Sequence, residues 1–449
     1  MSRSRVFPSS GYGSSWLSYR TVLCLTVLSF VCMFFLMPSS VYIWNGSETT
    51  VPGFTTPDTY SYIYSADDIM AGRPSISRTP MLPAMLGVLH KLFGTWVGMT
   101  IFYLLQFGLF VLSGYYLQRL AMKFTMNERV SFWITSIYLL LPSNISFTLA
   151  IMTDSLGMSG VVFMLWFLLR RLPSFPTVKD SVLSVAMVFL LVSLRPIFLY
   201  LIVAIVIYYI ALLIRYKMAF VKPFVCAFMC VGVLLACLAV YQKAITAAYG
   251  IHSIASIGAN NNVYIAAQIN GWHPELAPDD ELKTLLEDVE SETNTTFEYQ
   301  YQRVFDNYID FHPLQTEEYS KRLMNHSLVN IGATTARKLI IDIPASRIAP
   351  NYFLPSYLLV DYLTYYAVYY VVLAWYLALC FVYMKRSGRV PVMSLLLMLV
   401  SVGIISASAL GSMGEWPRLL MPGIPAAFLI SGKLCSMYTR KAGALEQVM

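Results

Sequence analysis

The sequence predicts an all-α integral membrane protein with about ten transmembrane helices. Interfacial helices are expected in its first outer loop, and a small helical segment on the same side later in the chain. Three observations predict this class. Of 449 residues, 57% are hydrophobic and only 12% are charged, whereas a soluble domain carries about 25% charge. The apolar residues come in long runs, and a helix needs ~20 of them to cross a ~30 Å hydrocarbon core. The 31 Lys and Arg recur as small groups between those runs, the pattern of cytoplasmic loops.

Residues 1–20 carry Arg3, Arg5 and Arg20 and no acid, and Thr21–Met37 is the first span. Met37-Pro38-Ser39 offers no small-x-small cleavage site, so the span is expected to stay on the chain with its amino terminus inside. Further spans fall at 96–118, 131–150, 156–170, 181–195, 196–214, 223–246, 356–384, 391–410 and 419–437, some of them broken by Pro142 and Pro196. Cations mark alternate connections: Arg119/Lys123/Arg129, Arg170/Arg171/Lys179, Arg215/Lys217/Lys222, Lys385/Arg386/Arg389 and Lys433/Arg440/Lys441. Only Glu128, Asp180 and Glu446 join them among the acids, so both termini read as cytoplasmic. The layout is an N-terminal module over 1–246 with spans one to seven, an outer helical segment over 247–355, and a C-terminal module over 356–449 with spans eight to ten. The expected place is the inner (cytoplasmic) membrane of a bacterium, with any chemistry on the outer face.

Composition also excludes partners. The net charge of +7 is dispersed over the inner loops, so nucleic acid is not expected. The seven Cys lie in or beside apolar runs, and the outer segment has none, so no disulfide framework is indicated. The five His (90, 252, 273, 312, 326) are not spaced for zinc.

The first outer loop, 39–95, holds the densest pattern. Ile63, Ala66, Ile69 and Met70 share one side of a helix, with Tyr62, Ser65, Asp67 and Asp68 on the rest, as in a helix lying in the interface. Gly72 ends it. Pro80–Phe93 is apolar but about 14 residues long, too short to span, so it also lies flat or re-enters. Asp58, fixed in direction by Pro57, is a candidate general base at the bilayer surface; the plain alternative is a solvated loop carboxylate. Arg78 offers planar donors for a lipid phosphate, or serves as an interfacial anchor.

Asp58, then Tyr-x-x-x-Ala-x-x-Ile-x-x-Gly at Tyr62–Gly72, then Arg78-x-Pro80-x-x-Pro83 with Gly87 and Leu92-Phe93-Gly94, resembles the first periplasmic loop of the GT-C glycosyltransferases. The bacterial relatives of protein mannosyltransferases and of lipid A aminoarabinose transferases are the similar branch. The resemblance implies a GT-C-like fold, a polyprenyl-phosphate sugar as donor, a glycan or glycolipid acceptor, an inverting mechanism, and Asp58 as the catalytic acid. Protein mannosyltransferases follow that acid with Glu; this chain has Thr59, a departure that speaks against protein O-mannosylation.

Further candidates lie along the chain. Asp154, between two apolar runs, is at membrane depth, where acids are rare and usually functional; it is either a second catalytic carboxylate or a helix cap. Arg195, ahead of Pro196, closes a helix of only ~21 Å and needs a cavity, a phosphate or an acid such as Asp154. Asn262 and Tyr264, with Tyr62 of the first loop, are candidates for sugar hydroxyls and sugar faces; the plain alternative for the stretch around Asn262 and Tyr264 is an ordinary loop. Arg347, just before span eight, resembles the part of the family that closes over the donor. Arg418 reads as an interface anchor. The metal is left open: a hard divalent cation, Mg or Mn, bound by oxygen, or none. Two other functions stay open on span count alone. An O-antigen or capsule polymerase would carry its key residues in later loops, and a transporter or lipid flippase would show paired half-repeats.

Overall fold

The structure is a computed structural model that describes residues 12–36, 39–44, 46–53, 57–171, 174–292, 294–337, 371–387, 392–411 and 419–439. Helix α1 (Tyr12–Leu36) is the first apolar rod. After it comes an element that the all-α expectation lacks. Strands β1 (Ser39–Trp44) and β2 (Ser47–Pro52) pair antiparallel, Ser39 opposite Pro52 and Trp44 opposite Ser47. Val41-Tyr42-Ile43-Trp44 is β-branched and aromatic by turns, which suits a pleated half-buried surface. Tyr42 and Trp44 are buried while Val41 and Ile43 are exposed, the alternation a strand enforces.

Helix α2 (Pro57–Met70) begins at the proline itself. Pro is pre-set for the first helical position, where its missing N–H costs nothing. Asp58 is therefore in the first turn of a helix, not in a loop, and the helix N-terminus favours its negative charge. Asp67, expected on a solvated face, instead accepts a hydrogen bond of 2.7 Å from Trp44 Nε1 and ties α2 to the hairpin. Helix α3 (Met81–Thr125) contains a break at Gly94, with φ 73° and ψ 174°. Only glycine takes that conformation cheaply, so the short limb up to Phe93 leaves the direction of the long limb. Gly87 lets the short limb lie against Met70: a Cβ there would stand 2.6 Å from its Cγ.

Helices α4 (Glu128–Leu140) and α5 (Pro142–Ser146) fill the expected span at 131–150, bent by 50° where Pro142 interrupts it. Then follow α6 (Asp154–Leu169), α7 (Val178–Leu194), α8 (Tyr200–Tyr216) and α9 (Val221–Tyr249). Three later apolar helices are α14 (Leu373–Ser387), α15 (Val392–Gly411) and α16 (Ile424–Thr439). Helix α3 is central, packing on α2, α4, α6 and α16, while α7 packs on α6 and α9, and α8 on α15. By length and hydropathy, Tyr19–Leu36, Met81–Thr125 and Pro196–Tyr249 are apolar enough to cross a membrane. Leu28, Phe35 and Leu36 of α1 point outward uncovered, as lipid-facing side chains do. The chain is a helical integral membrane protein.

The segment that follows α9 has its own core. Helices α10 (Ile257–Asn270), α11 (Asp280–Ser291), α12 (Phe297–Val304) and α13 (Pro313–Arg337) bring together Val263, Trp272, Leu286, Val289, Tyr301, Tyr308, Tyr319 and Leu323. Span eight is described only from residue 371, and Arg347 and Arg418 lie outside the described residues.

Candidate active site

A cavity of about 730 Å³ opens between the loop carrying α2, the end of α7, the start of α8 and the helices α10 and α12. Asp58, Tyr62, Arg78, Arg195, Asn262 and Tyr264 all line it. Residues far apart in sequence thus share one wall.

Arg78 is set by its neighbours before any ligand arrives. Its Nη2 donates to Asp58 Oδ1 at 2.5 Å and its Nε to Ser61 Oγ at 2.7 Å. Ser61 Oγ donates in turn to the Asp58 carbonyl at 2.7 Å. Ser61 lies one helical turn after Asp58, so an i, i+3 pair on α2 holds the guanidinium by two donors of one edge. The face of Tyr62 lies 4.7 Å from Arg78 Cζ, a cation–π contact that fixes the plane of the fork. The segment carrying Arg78 is pinned from the far end of α9: Tyr241 and Tyr249 donate to the carbonyls of Ser75 and Pro74 at 3.3 and 3.0 Å. Ser256 N donates to the Ile76 carbonyl at 2.8 Å.

Arg195 ends α7. The proline that follows keeps it out of the helical region, and it sits extended at φ −160°, ψ 130°. Its Nη1 donates to Asp154 Oδ1 at 3.1 Å, with side-chain exposures of 15% and 1%. The arginine reaches the cavity and the aspartate stands behind it, in the first turn of α6. Gln106 fastens the turn before α6, donating to the Ala150 carbonyl at 2.9 Å.

Tyr264 and Asn262 come from α10, not from a loop, and Tyr264 is buried edge-on against Tyr301 at 4.9 Å. Sequence reasoning singled out neither Ser61 nor the cavity residues Tyr200, Glu298, Tyr301 and Gln302. The signal for Ser61 was its spacing from Asp58; Glu298 and Gln302 had only helical spacing with Tyr301. Among the described residues no group of three or more His, Cys, Asp or Glu is placed to hold a metal ion.

The fold and the cavity define a helical membrane protein whose cavity is served by two acid–arginine pairs among the described residues, one of them at the cavity surface and the other presenting only its arginine. No protein-family model matches the chain, and no curated protein matches it. Among solved structures it is similar to the oligosaccharyltransferase AglB of Archaeoglobus fulgidus in complex with an inhibitory peptide and a dolichol-phosphate, at TM-score 0.48 and 12% identity over 98% of this chain. The chain spans 52% of that protein's length. It is also similar to ArnT of Cupriavidus metallidurans, at TM-score 0.37 and 12% identity in both the apo form and the form bound to undecaprenyl phosphate. Those matches cover 93% and 94% of this chain and 78% of ArnT.

Proposed function

We propose that this chain is an inverting GT-C-type glycosyltransferase. It moves a sugar from a polyprenyl-phosphate donor to a cell-envelope glycan or glycolipid on the outer face of a bacterial cytoplasmic membrane, with both termini cytoplasmic. The observation that carries this is the shared cavity: Asp58 and two arginines line a space bordered by apolar side chains such as Leu199 and Ile197.

A phosphate is a good leaving group and needs fixed positive charge where its negative charge grows. Arg78 and Arg195 supply that charge in a partly desolvated wall. The acceptor hydroxyl oxygen attacks the anomeric carbon as the bond from that carbon to the phosphate oxygen breaks, and the electron pair leaves on the phosphate. The hydroxyl proton goes to Asp58. When the donor phosphate draws Arg78 to itself, the Asp58 oxygen that Arg78 occupied becomes free to take that proton. With Asp58 as the base and no carboxylate assigned as a nucleophile, the reaction is a single displacement with inversion. Asp154 holds Arg195 in place, so its role here is positioning. Tyr62, Asn262 and Tyr264 face the sugar.

The test is Asp58→Asn in the living cell, with envelope glycans analysed and protein abundance checked. Transfer is expected to vanish while purified protein still binds prenyl-phosphate sugar. A full glycan profile from the variant would overturn the assignment and leave a transport function in its place.

A further inference from the structure

The charges lining the cavity are Asp58, Arg78, Arg195 and Glu298. The first two pair with each other, and Arg195 pairs with Asp154. Glu298 stands apart: among the described residues no cation lies within 4.0 Å of its carboxylate. It is the one lining charge that the fold has not matched among those residues.

The helix that carries it is held in place. Helix α12 is capped by Thr296, whose Oγ1 accepts from Tyr299 N at 3.3 Å. Tyr301 anchors the helix against Tyr264 and donates to the Asn260 carbonyl at 3.3 Å. Glu298, Tyr301 and Gln302 follow at i, i+3 and i+4, one face of a helix, and all three line the cavity. Asn261 and Asn262 of α10 line it as well.

A donor whose phosphate sits on the arginines must place its sugar elsewhere in the same cavity, among carboxamides, tyrosines and Glu298. Carboxamides accept most sugars. A carboxylate accepts hydrogen bonds from hydroxyl or ammonium groups and repels another carboxylate. We infer that Glu298 is a specificity-determining residue that admits a neutral or amine-bearing sugar and rejects an acidic one. This rests on the prenyl-phosphate reading of the cavity.

The test uses full-length protein in lipid nanodiscs and three probes: undecaprenyl phosphate, its hexose conjugate and its hexuronate conjugate. The wild type is expected to bind the hexuronate conjugate roughly tenfold more weakly than the hexose conjugate. In Glu298→Gln the two conjugates should bind alike, while undecaprenyl phosphate binds both proteins equally, which reports an intact fold. An unchanged hexose-to-hexuronate ratio in Glu298→Gln overturns the assignment of Glu298 and leaves the prenyl-phosphate site standing. Failure of the wild type to bind any of the three probes overturns that site, and this inference with it.

Discussion

Replacing Asp154 with Asn removes one charge from a pair that packing has closed off from water. Asp154 is 1% exposed, and its Oδ1 lies 3.1 Å from Arg195 Nη1. Coulomb's law at 3.1 Å, with an effective dielectric constant of about 20, gives an attraction of about 5 kcal/mol. Desolvation offsets part of it, and stripping one partner from a buried pair costs about 3–5 kcal/mol. Arg195 still reaches the cavity and its water, so the expected loss is at the lower end, about 3 kcal/mol. The assay is thermal unfolding of the detergent-solubilised protein, where the melting temperature should drop by several degrees. Arg195→Gln alone should also destabilise. The double variant Asp154→Asn/Arg195→Gln restores a neutral contact, and should lose less than the sum of the two by at least ~1 kcal/mol. Strictly additive losses, or an Asp154→Asn protein that melts with the wild type, would refute the argument that Asp154 acts by holding Arg195.

Arg78→Lys keeps the charge and loses the fork that spans Asp58 and Ser61, so donor affinity should fall by about tenfold or more, measured by prenyl-phosphate binding; equal affinity would mean that the guanidinium plane is not used. At the opposite end of α7, ahead of its apolar run, burial works to raise the Asp180 carboxyl, and hydrogen bonds from Thr177, Arg170 and Arg171 outweigh it and hold it at about 2. A depressed carboxyl stabilises the fold above its ordinary value of 3.8, and that stability is lost as the pH falls towards 2. The melting difference between wild type and Asp180→Asn should therefore shrink between pH 6 and pH 3; a constant difference would assign the effect to shape alone.

Much of the candidate site was legible because membrane depth makes charge conspicuous. Asp154 and Arg195 each stood where an ion cannot remain alone, and their pairing follows from that constraint. Asp58 and Arg78 stood out by their motif, while the helix that Pro57 starts was not legible, because the apolar period begins only at Ile63. What was not legible depends on contacts between distant segments. The hairpin at Ser39–Pro52 is too short to show a strong period, and Trp44 declares itself only once Asp67 and His90 are beside it. Glu298 is one acid among many in a polar stretch, and nothing local says that α12 turns it towards the cavity. The split of α3 was foreshadowed, since Pro80–Phe93 is too short to cross, but the hinge at Gly94 is a backbone fact.

The arginine of each pair already has a carboxylate at its side, so the resting pocket has little appetite for stray anions from the surrounding fluid. A small soluble phosphate would have to outbid those carboxylates from dilute solution. A phosphate tethered to a long hydrocarbon tail arrives along the bilayer at high effective concentration, and that abundance would let it displace them. On the proposed reading, the pairing of both arginines at rest would thereby work as a filter for cargo delivered through the membrane.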